Sequence, residues 1–234
     1  MEQIDDEIFF LGDRSVVNII KFIKDDVISM PPSHDINHIM RVYRNAEIIT
    51  YNEYIDEEDY CDLLYVVKAS ALLHDYLDSK YVKDEVTRSS KIKKLENLFE
   101  LEKTPEHLVK KILFVVDNVS WSKNKKVPIE DQMKYSRELK VCMDADKMDA
   151  LGIIGLMRCF LYSTEIGNEL YNPDNRMDSK TAFGHLYEKI IKLPDYFLTE
   201  FMKKRSNAIR ESTKKYIEQF ESEWTSSYLE NKSL

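Results

Sequence analysis

Three short stretches concentrate side chains able to do chemistry. In Ala69-Ser-Ala-Leu-Leu-His-Asp-Tyr-Leu-Asp78 an apolar run leads straight into His74 and Asp75, and a further carboxylate, Asp78, follows one turn later. Burying an unpaired carboxylate costs several kcal/mol, so this run calls for a partner: a divalent metal, or an arginine beside a neutral core histidine. In His34-Asp-Ile-Asn-His38, followed by Arg41 and Arg44, the two histidines stand four apart, share a helix face and could grip one ion. The spacing also resembles the zincin H-E-x-x-H, but Asp35 stands where the longer glutamate base belongs, and the plain alternative is that His34 caps a helix while His38 packs. Asp144-Ala-Asp-Lys-Met-Asp149 sets three acids among Val141, Met143, Met148 and Leu151, an arrangement that requires metal or basic partners. Neighbouring helical side chains point about 100° apart, so His74 and Asp75 reach a common ion only beside their helix, and the remaining ligands must come from other helices. His38 is a natural candidate.

The order H…HD…D, written here as His38, His74-Asp75 and Asp144, resembles the signature of the HD-domain metal-dependent phosphohydrolases. The likeness extends to His34-Asp-x-x-His-x-x-Arg-Val42, to Asp144-Ala-Asp-Lys-Met-Asp-Ala-Leu-Gly152 and to Phe183-Gly-His-Leu-Tyr-Glu-Lys189, and it covers about residues 14 to 225. These segments look like the small single-domain branch of that superfamily. The resemblance implies His38, His74, Asp75 and Asp144 as ligands to one divalent metal, with Mn, Mg, Fe, Co and Zn all compatible with such a mixed set. It implies that Asp78, beside the ligand and catalytic carboxylate Asp75, orients or deprotonates the attacking water. It implies hydrolysis of a phosphoester or phosphoanhydride in a nucleotide-like substrate, with Arg41, Lys80, Lys123, Lys147 and His185 as candidate substrate contacts.

Some departures qualify that picture. Lys147 stands where the branch usually has arginine, which keeps the charge but loses bidentate geometry, so a salt bridge to Asp146 or Asp149 competes with substrate contact. Trp121 and Tyr76 could stack on a base or simply pack, and Gly152 and Gly155 suit close helix packing. Only five histidines exist, and none follows the HD pair at the separations that hold a second metal in the cyclic-diester branches, so a mononuclear site is expected. Two other functions compete: a catalytically inactive nucleotide or metal sensor, and a zinc peptidase built on His34 and His38.

The elements that must carry these residues read as helices. Glycine (5) and proline (6) are scarce in 234 residues and β-branched alternation is absent, so an all-α, single-domain architecture spanning 1–234 is expected, with ample apolar content for a core. The spacing predicts a helix capped by Ser15 and running to about Ile28 before Met30-Pro-Pro-Ser33, a second from His34 or Asp35, and a third opened by Asp56-Glu-Glu-Asp59 and leading into His74. A fourth should span Lys83 to Leu101 and a fifth should start at Thr104-Pro105-Glu106 and fray into a loop over 118–124. A long apolar-periodic stretch over 133–157, a polar loop over 172–179, a segment over 183–193 and a closing helix from about Asp195 to Tyr228 complete the reading.

The net charge of −8 gives no general affinity for nucleic acid or anionic membranes, so a phosphorylated ligand must be captured locally. Cys61, Cys142 and Cys159 cannot all pair within one chain and show no CxxC spacing, which suits a reducing compartment. The acidic N-terminus lacks the pattern of a signal peptide and no apolar run reaches a membrane span, so the cytoplasm, or the nucleus, is expected. Monomer and homodimer are both compatible with the long closing helix.

Overall fold

The structure, a computed structural model, describes residues 13–27, 32–79 and 82–224. Lys80, the expected stop at Ile28 to Pro31, the acidic N-terminal stretch and the expected continuation of the last helix to Tyr228 lie outside the described residues. Among the described residues the fold is all-α and contains no strand, and no helix is long and apolar enough to cross a membrane. The chain divides into two compact units, Met1–Met30 with His34–Ala145, and Pro31–Ser33 with Asp146–Leu234.

The first unit contains α1 (Asp13–Val27), α2 (Ile36–Tyr54), α3 (Tyr60–Leu73), α4 (Glu85–Leu101), α5 (Glu106–Asn118), the short α6 (Trp121–Asn124) and α7 (Ile129–Gln132), and the first part of α8 (Arg137–Asp149). Its centre is α3, which is apolar nearly all round and therefore buried: Leu63, Val66, Ala69 and Leu73 have no exposed surface. The apolar faces of α1 (Val16, Ile19, Ile23), α4 (Leu95, Phe99) and α5 (Leu108, Ile112, Val116) close around it in one core. Each fully buried side chain of this size contributes about 1.5–3 kcal/mol, so this core fixes where α3 ends and hence where His74 stands.

Capping chemistry sets the helix starts: Ser15 is not the cap expected of it, whereas α2 starts where the sequence placed it and α4 within two residues of the expected position. Helix α1 begins at Asp13, so Ser15 lies inside it, where its Oγ bonds the Tyr65 hydroxyl at 2.9 Å. Helix α2 is capped by Asp35, whose Oδ1 accepts from the His38 N–H at 2.9 Å. Asp84 caps α4 in the same way through the Thr87 N–H, at 2.8 Å. The expected loop after α5 holds the single turn α6 because Asn124 Nδ2 donates to the carbonyls of Asn118 (2.7 Å) and Ser120 (2.9 Å), closing the chain on itself.

The second unit contains the end of α8, then α9 (Gly152–Glu165), α10 (Ala182–Glu188), a 3-10 segment (Ile190–Tyr196), α11 (Glu200–Lys203) and α12 (Ser206–Trp224). The stretch over 133–157 carries two helices, α8 and α9, which part just before Gly152, one of the interruptions in its apolar pattern. Gly152 takes a left-handed backbone (φ +64°), and its N–H donates to Thr213 Oγ1 at 3.0 Å. The closing helix is also divided: Pro194 sits in the 3-10 segment, Phe197 and Thr199 are extended, and α12 starts only at Ser206. Phe183 and Phe220 stack with ring centroids 3.9 Å apart, and Phe160, Tyr171 and Trp224 surround them.

The two glycines expected to serve helix packing do different things. A Cβ on Gly155 would lie 2.1 Å from the Ala150 carbonyl carbon, so that position does require close approach. A Cβ on Gly152 would meet nothing within 4 Å, so backbone conformation and not packing selects glycine there.

Candidate metal centre

Helices α2 and α3 pack side by side and bring three donor atoms together. His38, one turn into α2, and His74, which terminates α3, face each other with Nε2 atoms 3.1 Å apart and rings at 80°. Asp75 Oδ2 lies 3.3 Å from His74 Nε2 and 3.5 Å from His38 Nε2. All three residues are buried, with His38 only 1% exposed. His74 Nδ1 is 2.8 Å from the Ala71 carbonyl, which can only accept, so Nδ1 carries a proton and Nε2 is the atom turned toward His38 and Asp75. Asp75 Oδ2 is buried without a hydrogen-bond partner. Burial pushes the Asp75 carboxyl up, but the adjacent His74 together with His38 more than reverses this, holding it well below the usual carboxylate range.

Two imidazole Nε2 atoms and a carboxylate oxygen without a hydrogen bond, converging within 3.5 Å, are residue types that fit a divalent cation. Protein groups alone satisfy this arrangement poorly, because an unpaired buried oxygen costs about 1–3 kcal/mol. Asp144, fully buried, is on the turn of α8 that is fastened to the same two helices: the neighbouring Ala145 carbonyl accepts from Asn45 of α2 at 3.3 Å, and Cys142 Sγ contacts the Val67 carbonyl of α3 at 3.7 Å. With burial, Asp144 is among the charges that push the Tyr54 hydroxyl up to about 12.

The remaining residues singled out from the sequence have varied surroundings. Asp78 is buried and its Oδ2 accepts from Ser120 Oγ at 2.9 Å, a contact between residues 42 apart that spacing gave no reason to expect. Arg41, three residues beyond His38, is half-buried and its charge helps hold the Asp35 carboxyl low, where the backbone and Asn37 hydrogen bonds outweigh the effect of burial. Lys123 donates to Asp117 Oδ1 at 2.6 Å, and the same oxygen takes Arg88 at 2.7 Å. Lys147 and His185 belong to the second unit. Lys147 is buried and donates to the Tyr196 carbonyl, while Asp149, one of the partners expected for it, bonds Arg158 at 3.1 Å. His185 is half-buried beside the Tyr162 ring. Tyr76 is core, packed on Phe22 and under Lys91, whose Nζ lies 4.1 Å from its centroid. Asp35 spends its side chain on the α2 cap, and His34 ends the 3-10 turn Pro32–His34, outside α2, with its ring edge-on to that of His38 at a centroid distance of 5.6 Å.

No family model matches the sequence. The fold nonetheless is that of the HD-superfamily hydrolases. An HD-superfamily hydrolase from Bacillus thuringiensis is 27% identical, with a TM-score of 0.68 over 92% of this chain and 98% of its own. At the level of individual proteins, the chain is similar to the uncharacterized protein YpgQ of Bacillus subtilis (strain 168), at 28% identity over 167 residues, 71% of this chain and 73% of YpgQ. The YpgQ crystal structure covers 92% of this chain and 97% of its own with a TM-score of 0.69, and YpgQ has also been solved in complex with ADP.

Proposed function

We propose that the chain is a single-domain, metal-dependent phosphohydrolase that cleaves a phosphate or phosphoanhydride bond of a nucleotide. One observation carries this reading: His38 Nε2, His74 Nε2 and Asp75 Oδ2 converge in a buried site where Oδ2 has no hydrogen bond. His38, His74 and Asp75 would hold one divalent ion, with Asp144 of α8 as the fourth ligand. When bound, such an ion supplies Lewis acidity toward a phosphoryl oxygen and lowers the pKa of a water. The chain's own groups do the rest. His74 is held in one tautomer by the Ala71 carbonyl, and Asp78, fixed by Ser120, is the base that orients and accepts a proton from the attacking water. Arg41 supplies positive charge three residues from His38 for the transferring group. The nucleotide class is supported by the ADP complex of YpgQ. The zinc-peptidase reading loses its base, because the Asp35 carboxylate is engaged as a helix cap.

The test is incubation of the metal-loaded protein with nucleoside triphosphates, monophosphates and non-nucleotide phosphate esters across Mn²⁺, Mg²⁺, Co²⁺ and Zn²⁺, separating orthophosphate from pyrophosphate. Metal-stimulated release that disappears in Asp75→Ala supports the reading. Binding of metal and nucleotide with no turnover of any substrate rejects it in favour of an inactive sensor.

A further inference from the structure

The segment after α5 is fastened in a way that concerns Asp78. Ser120 is half-buried, and its Oγ lies 2.9 Å from Asp78 Oδ2 and 2.9 Å from Ser122 Oγ. A hydroxyl has one proton, and a carboxylate can only accept, so Ser120 donates to Asp78 and receives from Ser122. The Ser120 backbone is itself held. Asn124, 4% exposed, donates through Nδ2 to the Ser120 and Asn118 carbonyls and accepts through Oδ1 from the Tyr135 hydroxyl at 2.9 Å. Gln132, with no exposed surface, donates to the Asn124 carbonyl at 3.1 Å and to that of Val127 at 2.8 Å. A solvated surface loop has no need of two buried amides tying five backbone and side-chain acceptors and donors together. The network does have a purpose if Ser120 must stay in register with a carboxylate on another element.

We propose that Ser120 is a positioning residue for Asp78: its hydroxyl, set by the Asn124–Gln132–Tyr135 network, holds Oδ2 and so fixes how the carboxylate is presented to the reacting water. This rests on the proposed role of Asp78. A carboxylate turns more readily about its last bond when a hydrogen bond to one oxygen is lost, so removing the hydroxyl costs orientation in the transition state and leaves ground-state binding alone. Thr keeps a hydroxyl at the same place, and the extended backbone of Ser120 (φ −57°, ψ 130°) admits a β-branched residue.

Full-length wild type, Ser120→Ala, Ser120→Thr, Asp78→Asn and the double variant Ser120→Ala/Asp78→Asn are compared for kcat, KM and Mn²⁺ affinity on the best substrate found. Ser120→Ala lowers kcat by about tenfold or more, as loss of a hydrogen bond to a carboxylate implies, with KM and metal affinity unchanged. Ser120→Thr restores kcat, and Ser120→Ala has less than about a twofold effect in the Asp78→Asn background. A merely structural serine would instead move KM and metal affinity together with kcat, and that result overturns the proposal. If Asp78→Asn depresses kcat while Ser120→Ala does not, only the positioning role fails. If wild type turns over nothing, or Asp78→Asn is fully active, the assignment of Asp78 fails and the positioning role with it.

Discussion

Replacing Asp75 by Asn separates a metal ligand from a structural ion pair. The substitution keeps size and shape but puts an amide where Oδ2 now lies 3.3 Å and 3.5 Å from two imidazole nitrogens. In the metal-free protein the wild-type oxygen is buried without a hydrogen bond, yet His74 and His38 hold its carboxyl low, so its charge stabilises the fold. Asp75→Asn without metal therefore loses on the order of 1 kcal/mol, equivalent to roughly 2–4 °C in a chain of this size. With metal the gap widens. An ion present at one hundred times its Kd stabilises wild type by about 2.7 kcal/mol, or roughly 5–10 °C, and this gain vanishes in the variant. The assay is a thermal melt of both proteins in chelator and in graded Mn²⁺, Co²⁺ and Zn²⁺. Had Asp75 served as a buried partner of protonated histidines, its neutralisation would cost about 3–5 kcal/mol in chelator, and metal would matter little. A large drop in Tm in chelator, or a metal-induced rise that survives in Asp75→Asn, refutes the reasoning.

Other expectations concern the scaffold and the remaining titratable groups. Gly155→Ala forces a Cβ against the Ala150 carbonyl, which is backbone and cannot swing aside, so denaturant unfolding should register a loss of about 3 kcal/mol; Gly152→Ala, strained only by its positive φ, should lose about 1–2. Arg158→Met leaves Asp149, 5% exposed, without its guanidinium, and a loss of about 3–5 kcal/mol is expected by the same measurement. Burial raises the Glu138 carboxyl, but the hydrogen bond and charge of Lys111, with the backbone and Ser136 hydrogen bonds, together outweigh it and the net shift is downward from 4.5. Its contribution is thus complete above pH 4.5 and lost as pH falls through the lower folded value, so Glu138→Gln should be less stable at neutral pH and show a flatter stability profile below pH 4.5. In thiol titration at pH 8, exposed Cys61 should react promptly, whereas buried Cys142 and Cys159, the latter pushed up to about 11 by burial, should react only on unfolding.

The sequence by itself determined the class of fold and singled out His38, His74 and Asp75, the residues that meet in the candidate metal centre. Helical periodicity is a local property, and so is the cost of setting His74-Asp75 at the end of an apolar run. For that reason α2 to α5 and the donors His38, His74 and Asp75 were legible without coordinates. Helix boundaries and the uses of individual polar groups were not, because they turn on differences of about 1 kcal/mol that distant partners decide. Asp35 could have been a base until the His38 N–H claimed it as a cap. Gly152 and Gly155 look alike in the sequence, and only the neighbouring Ala150 backbone distinguishes a required conformation from a required approach. The closing helix reads as continuous, yet extended residues at Phe197 and Thr199 divide it. Tertiary structure alone made the centre a centre: α2 and α3 pack closely enough to bring two imidazoles from residues 36 apart to 3.1 Å, and the turn after α5 carries Ser120 to Asp78. Periodicity and composition name the donors, but the distances that give them a common ligand arise only when the helices share a core.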